Sequence, residues 1–376
     1  MKIIISPNSF KESISSIEAA DSIVKGLKKN SYNFELLSLP IADGGDGSLD
    51  VFMRYVDGKK INKTIFDPLG NKITSQYFLF DKGKSAFIEL ANSSGLKLIK
   101  KSKRNPLLYN SYGTGELILS AIGRGAKKII IALGGSATVD GGIGILLALG
   151  TKFYDAKYNS LKQGNFLNNI DKIETDKMDY SDIEFILLAD VDNKLLGKDG
   201  ASFVFGSQKG ATKNQIKKLE RGLNNFSIIS RKIIDKNPEY VQGGGAAGGI
   251  AAFLKIYLNA KIYKGTDYFL DIMQFEKKIK NAKFLITGEG KLDSQTLYGK
   301  APFVVAKKAK LNNIMTIAIV ASVDENVYSD LNKVFDLIIT FEKEDKKYSI
   351  LNAEKLIFKK SYKLAKILKL SDKLLL

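Results

Sequence analysis

The stretch "KKIIIALGGSATVDGGIGILLALG", residues 127–150, holds the chain's clearest structural unit. Its opening isoleucine run reads as a strand, and "GILLALG" at its end reads as a helix. Between them lies a glycine-rich turn carrying Ser136, Thr138 and Asp140. A strand feeding such a turn into a helix gathers backbone N–H groups at the positive helix end, which favours an anion. Phosphate is the anion expected. The glycines would let backbone approach it, Ser136 and Thr138 would donate hydroxyl hydrogen bonds, and Asp140 would orient metal or water. The competing reading is a rigid interdomain turn.

The same alternation continues outward in both directions. "KIIIS" (2–6) reads as a strand, and "SSIEAADSIVKGLKK" (15–29) as an amphipathic helix with capping-box spacing between Ser15 and Glu18. "FELLSLPIA" (34–42) reads as a second strand. From about 63 to 91 the texture turns β-rich, punctuated by "DPLGN" and "DKGK", which predicts antiparallel hairpins. Alternation then resumes through "TGELILSAIGRG", "KIIIAL" and "EFILLAD", and again from "KFLITGEG" to "DLIIT". A lysine-rich amphipathic helix closes the chain. The expected fold is α/β with two domains. A parallel Rossmann-like sheet domain is built from both chain ends, residues 1–62 plus 262–376, and residues 63–261 form an inserted mixed α/β domain.

Composition narrows the chemistry. The 376-residue chain contains neither cysteine nor histidine. Disulfides, thiol nucleophiles, His-ligated zinc, Ser-His-Asp triads and histidine bases are therefore excluded, and acid–base work falls to Asp, Glu, Lys or Tyr. A cytoplasmic setting is expected, and no apolar run is long enough to span a bilayer. The formal charge of +18 invites a nucleic-acid reading, but only five of 58 basic residues are arginine. Arginine is the preferred group for bidentate base and phosphate contacts, and the lysines here are scattered. A solvated lysine-rich surface that draws anionic metabolites is expected, with no specific nucleic-acid partner and no membrane.

Four acidic segments, three of them glycine-rich, end apolar strands: "ADGGDG" (42–47), "GGSATVDGG" (134–142), "ADVDN" (189–193) and "TGEGKLDS" (287–294). In parallel α/β sheets ligands bind beyond the carboxyl ends of the strands. Carboxylates there suit Mg²⁺ held with substrate phosphates, whereas a single Asp-Gly pair reads equally well as a turn. "GGGAAG" (243–248) matches the dinucleotide glycine spacing, yet "KNPEYVQ" before it does not read as the strand that motif requires. No Walker-type phosphate loop occurs, because Phe78 stands where "GKS" (83–85) would need its glycine.

"SFKESISS" (9–16), "PIADGGDGS" (40–48), "YGTGEL" (112–117), "LGGSATVDGGIG" (133–144), "ADVDN", "GASFVFGSQKGAT" (200–212), "GGGAAGG" (243–249) and "ITGEGKLDSQTLYGKAP" (286–302) occur in that order. The series resembles the bacterial type I glycerate kinase family. The resemblance implies a two-domain enzyme that transfers the γ-phosphoryl of ATP to D-glycerate with Mg²⁺, in the cleft between its domains. Asn8 stands where the family commonly has Asp, and Tyr298 where many relatives carry His, so no imidazole is essential there.

On this reading Lys11 is the candidate cation facing a phosphate or the glycerate carboxylate. Asp43 and Asp190 are candidates for Mg²⁺ ligation or for accepting the substrate proton. Asn193, Glu289, Asp293 and Ser294 are assigned to substrate or metal contacts, and Lys209 and Lys300 to phosphate. The 2-hydroxyl is the expected acceptor, giving 2-phosphoglycerate rather than 3-phosphoglycerate. A related organic-acid kinase or acyl-phosphate transferase on the same fold is the first alternative, and a nucleic-acid-binding protein the second. Monomer and homodimer stay equally open.

Overall fold

The computed structural model describes residues 1–29, 32–175, 179–297, 299–341 and 345–374. The chain opens with β1 (Lys2–Ile5), whose Ile3, Ile4 and Ile5 are fully buried, as a strand covered on both faces requires. The helix Ser16–Lys28 follows. Ser15 and Glu18 form the predicted reciprocal cap, and Ala19, Ala20, Ile23 and Leu27 make its buried stripe. β2 (Glu35–Ser38) then pairs with β1 in parallel.

The chain next enters a second unit, residues 44–265. β3 (Gly58–Phe66), β4 (Lys72–Phe80) and β5 (Ser85–Glu89) form the predicted antiparallel hairpins. β6 (Lys128–Ala132) adds to β5 in parallel. A small antiparallel sheet of β7 (Lys152–Tyr154), β8 (Ser160–Leu161) and β9 (Lys172–Glu174) intervenes. β10 (Glu184–Leu188) and β11 (Lys261–Tyr263) then complete the main sheet, in the order β11-β10-β6-β5-β4-β3. The first crossing lies at 43/44, whereas the sequence expectation was 62/63. The reason is a packing contact: Phe52, on the helix Ser48–Tyr55, stacks on Phe87 of β5 at 4.3 Å between ring centres.

The remaining strands belong to the unit made of 1–43 and 266–376. β12 (Phe284–Thr287), β14 (Met315–Val320) and β16 (Leu337–Thr340) extend the first sheet, while β13 (Lys291–Leu292) pairs with β15 (Ser322–Val323). The first sheet is wholly parallel, in the order β16-β14-β12-β1-β2. The long helix Ala353–Leu374 lies against the helix Ser16–Lys28. No helix among the described residues is long and apolar enough to cross a membrane.

Candidate functional site

In the first sheet β1 leads outward to β2, while β12 leads the opposite way to β14 and β16. The order therefore reverses between β1 and β12, and the loops leaving these two strands splay apart into a binding crevice. Asn8, just beyond β1, ties that crevice together. Its backbone N–H donates to the Gly288 carbonyl at 2.8 Å, and its side-chain amide donates to Asp43 Oδ2 at 3.3 Å.

Glu289 follows β12 and is only 6% exposed. Thr296 Oγ1 donates to Glu289 Oε1 at 3.1 Å, and Lys300 Nζ lies 3.9 Å from Oε2. Lys300 also donates to Asp293 Oδ1 at 2.9 Å, so it is already paired within the protein. Burial pushes the Glu289 carboxyl up to about 7, against the downward pull of Lys300, Thr296 and the Lys11 ammonium. Lys11 and Ser294 are exposed. Asp43, Lys11, Glu289, Asp293, Ser294 and Lys300 thus all lie in one unit, at the carboxyl ends of its strands.

The 133–144 segment lies in the other unit and faces largely inward. A Cβ on Gly134 would come within 2.4 Å of Gly45 Cα, so its bare backbone permits the two glycine-rich loops to touch. Asp140 is fully buried. Its Oδ2 accepts from the Ser111 N–H and hydroxyl, each at 2.8 Å, and its Oδ1 from the Gly142 N–H at 3.2 Å. Expected to orient metal or water, the Asp140 carboxylate instead holds its own loop against the Ser111 turn. Thr138 is likewise fully buried, so its hydroxyl is not presented to a ligand in this conformation. Lys209, expected to meet phosphate, donates to Ser136 Oγ and the Thr138 carbonyl, both at 2.6 Å. Complete burial brings its ammonium down to about 7, with Asp140 opposing the shift.

Asp190 and Asn193 lie on the loop leaving β10, the strand paired with β6. Asp190 is half-buried, and the Asn193 amide donates to the Asp199 carbonyl at 3.1 Å. "GGGAAG" follows a single 3₁₀ turn, Pro238–Tyr240, rather than a strand, which agrees with rejecting a dinucleotide fingerprint. Tyr298 lies outside the described residues.

The comparisons with known proteins agree over most of the chain. The model of the Glycerate kinase family matches residues 3–369. The chain belongs to the glycerate kinase family. The glycerate kinase of Bacillus cereus (strain ATCC 10987 / NRS 248) is 40% identical over 90% of each chain. The glycerate 2-kinase of Escherichia coli (strain K12) is 39% identical over 87% of each. A crystal structure assigned as glycerate kinase 2 from Salmonella typhimurium LT2 aligns with a TM-score of 0.82 at 35% identity, covering 99% of both chains.

In this member of the glycerate kinase family, one strand-end group escaped the sequence reading. Glu89, the last residue of β5, is 1% exposed and accepts from the Leu49 N–H at 2.9 Å. Lys97 joins it to Asp46, lying 3.3 Å from Glu89 and 2.5 Å from Asp46. Burial pushes the Glu89 carboxyl above the usual carboxylate range, while the Lys97 ammonium opposes it. The signal was present in "AFIE" (86–89), an apolar run ending on Glu, but no glycine marked it as a loop.

Proposed function

We propose that the chain transfers the γ-phosphoryl group of ATP to the 2-hydroxyl of D-glycerate, giving 2-phosphoglycerate. The observation that carries this reading is the 39% identity to a glycerate 2-kinase over 87% of both chains. Phosphoryl transfer asks a protein mainly for positioning and charge stabilisation, which a chain without histidine can supply. Lys11 holds the glycerate carboxylate. Anchored there, the 2-hydroxyl lies one bond's rotation from its fixed neighbour, whereas the 3-hydroxyl hangs on a further rotating bond. Near-attack geometry therefore favours the 2-hydroxyl. Its proton passes to a strand-end carboxylate, for which Asp43 is positioned by Asn8 and Glu289 by Thr296.

Among the described residues no three acidic side chains gather into a cluster able to hold a metal. That fits Mg²⁺ in its usual role with nucleotides, held by one or two carboxylates together with phosphate oxygens. Asp43, in the loop after β2 of one unit, and Asp190, just after β10 of the other, are the two alternative carboxylates offered for it. When bound, the ion neutralises charge developing on the transferred group.

An ATP-consumption assay with D-glycerate, followed by NMR of the product, tests the reading. Consumption dependent on D-glycerate, with phosphorus coupled to one carbon-bound proton, is expected. Coupling to two such protons would move the transfer to the 3-hydroxyl. Absence of glycerate-dependent consumption would remove the assignment altogether.

A further inference from the structure

We infer that the cleft at the carboxyl ends of β10 and β11 takes the base and ribose of the nucleoside triphosphate. This rests on the kinase reading above, and it places the nucleotide wholly within the 44–265 unit. The cleft has a volume of about 690 Å³, inside the range of ordinary small-molecule sites. It lies beyond the last residue of β10, whose following residues Ala189, Val191 and Asp192 line it, and beside β11, whose Ile262 and Tyr263 form one wall.

The lining has the chemistry that a nucleotide demands. Ile256 and Ile262 supply an apolar surface for a flat heterocycle. Tyr240 lines the same cleft and is 87% exposed, so its ring face is open to a stacking partner. Aromatic stacking accepts any base, because every base has a π-face. Asn237 brings an amide that can pair with the base edge, while Lys236 and Lys255 bring positive charge for phosphates. A purely apolar ligand would leave these cations unmatched, whereas the lining carboxylate of Asp192 is already paired with Lys264 at 2.6 Å.

Continuity along the chain adds a second argument. Ala189 and Val191 both line the cleft, so Asp190, one of the two carboxylates offered for Mg²⁺, stands between two lining residues. A nucleotide seated here brings its phosphates towards the β10 loop. Gln242 and Gly243, where the glycine-rich segment begins, line the same cleft. That gives "GGGAAG" a place beside a nucleotide without the dinucleotide fold its spacing suggests.

The native chain contains no tryptophan, so Tyr240→Trp creates a single fluorophore in the cleft while keeping a stacking ring. ATP binding to wild type, Tyr240→Ala and Tyr240→Trp is measured by titration calorimetry without glycerate. Steady-state KM values for ATP and D-glycerate are measured alongside. Tyr240→Ala is expected to weaken ATP by about fivefold or more, in Kd and KM alike, with the KM for D-glycerate unchanged. Tyr240→Trp is expected to bind ATP as wild type does, with emission that shifts or quenches on titration. Wild-type ATP affinity in Tyr240→Ala, together with emission from Tyr240→Trp that saturating ATP leaves unaltered, would overturn the assignment. Glycerate-dependent turnover by wild type in that case would leave the kinase reading standing. ATP binding that depends on Tyr240, without any glycerate-dependent turnover, would support the cleft and sink the glycerate reading instead.

Discussion

The Lys209 ammonium donates to Ser136 Oγ across 2.6 Å, from a side chain almost wholly removed from water. The same ammonium holds the Thr138 carbonyl, so one lysine pins two points of the glycine-rich segment. Its proton is bound less tightly in the folded protein, at about 7, than in the unfolded chain. Between these limits the unfolded state carries the extra proton, so stability rises with pH from about 7 towards 10. Lys209→Met should remove that rise. Denaturant unfolding of both proteins from pH 7 to 10 checks it, with identical slopes counting against the assignment.

Glu289 runs the opposite way. Its folded-state value near 7 lies above the ordinary carboxyl value, so its share of stability is full below about 4.5 and is lost as pH rises through 7. The ionised form is the one able to accept a proton. For wild type, kcat/KM for D-glycerate should climb across pH 7, and Glu289→Gln should flatten the climb and lower the plateau about tenfold or more. An unaltered pH profile in the variant would discard the role.

Asp43→Asn and Asp190→Asn should each lower turnover by about a hundredfold, the scale expected when one charge-stabilising or proton-accepting group is lost. Thermal unfolding should stay close to wild type, since both residues are half-buried in loops that follow strands rather than in the core. Near-normal turnover in both variants would remove them from the chemistry.

Gly134→Ala tests packing alone. The new methyl would meet Gly45 Cα at 2.4 Å, a backbone atom that cannot swing aside. Overpacking of this kind costs about 1–3 kcal/mol, so the midpoint of denaturant unfolding should fall. An unchanged midpoint would mean that the two loops part readily.

Strand and helix placement was legible because apolar runs such as 128–132 and 284–287 end in glycine or acidic residues. The side-chain direction within a glycine-rich loop was not. Asp140 and Asp43 look alike in sequence, each beside two glycines, yet Asp140 turns into Ser111 while Asp43 meets Asn8. What separates them is the partner, which arrives from 29 and 35 residues away. Glu89 escaped for a related reason, since its importance depends on Lys97 and the Leu49 N–H rather than on its own neighbours. The crossing at 43/44 depended on Phe52 finding Phe87, a contact no local pattern announces.

The pairing of β1 with β12 joins residues about 280 positions apart, Ile3 with Phe284 and Ile5 with Ile286. During synthesis the amino-terminal strand therefore emerges long before its central neighbour exists. Residues 44–265 are contiguous, and every strand of their main sheet is complete before β12 leaves the ribosome. Assembly is thus ordered by translation, with the embedded segment ahead of the unit that surrounds it in sequence. Three adjoining isoleucines stay without one flank of their sheet throughout that interval, which makes the first five residues an aggregation hazard while the chain is being made.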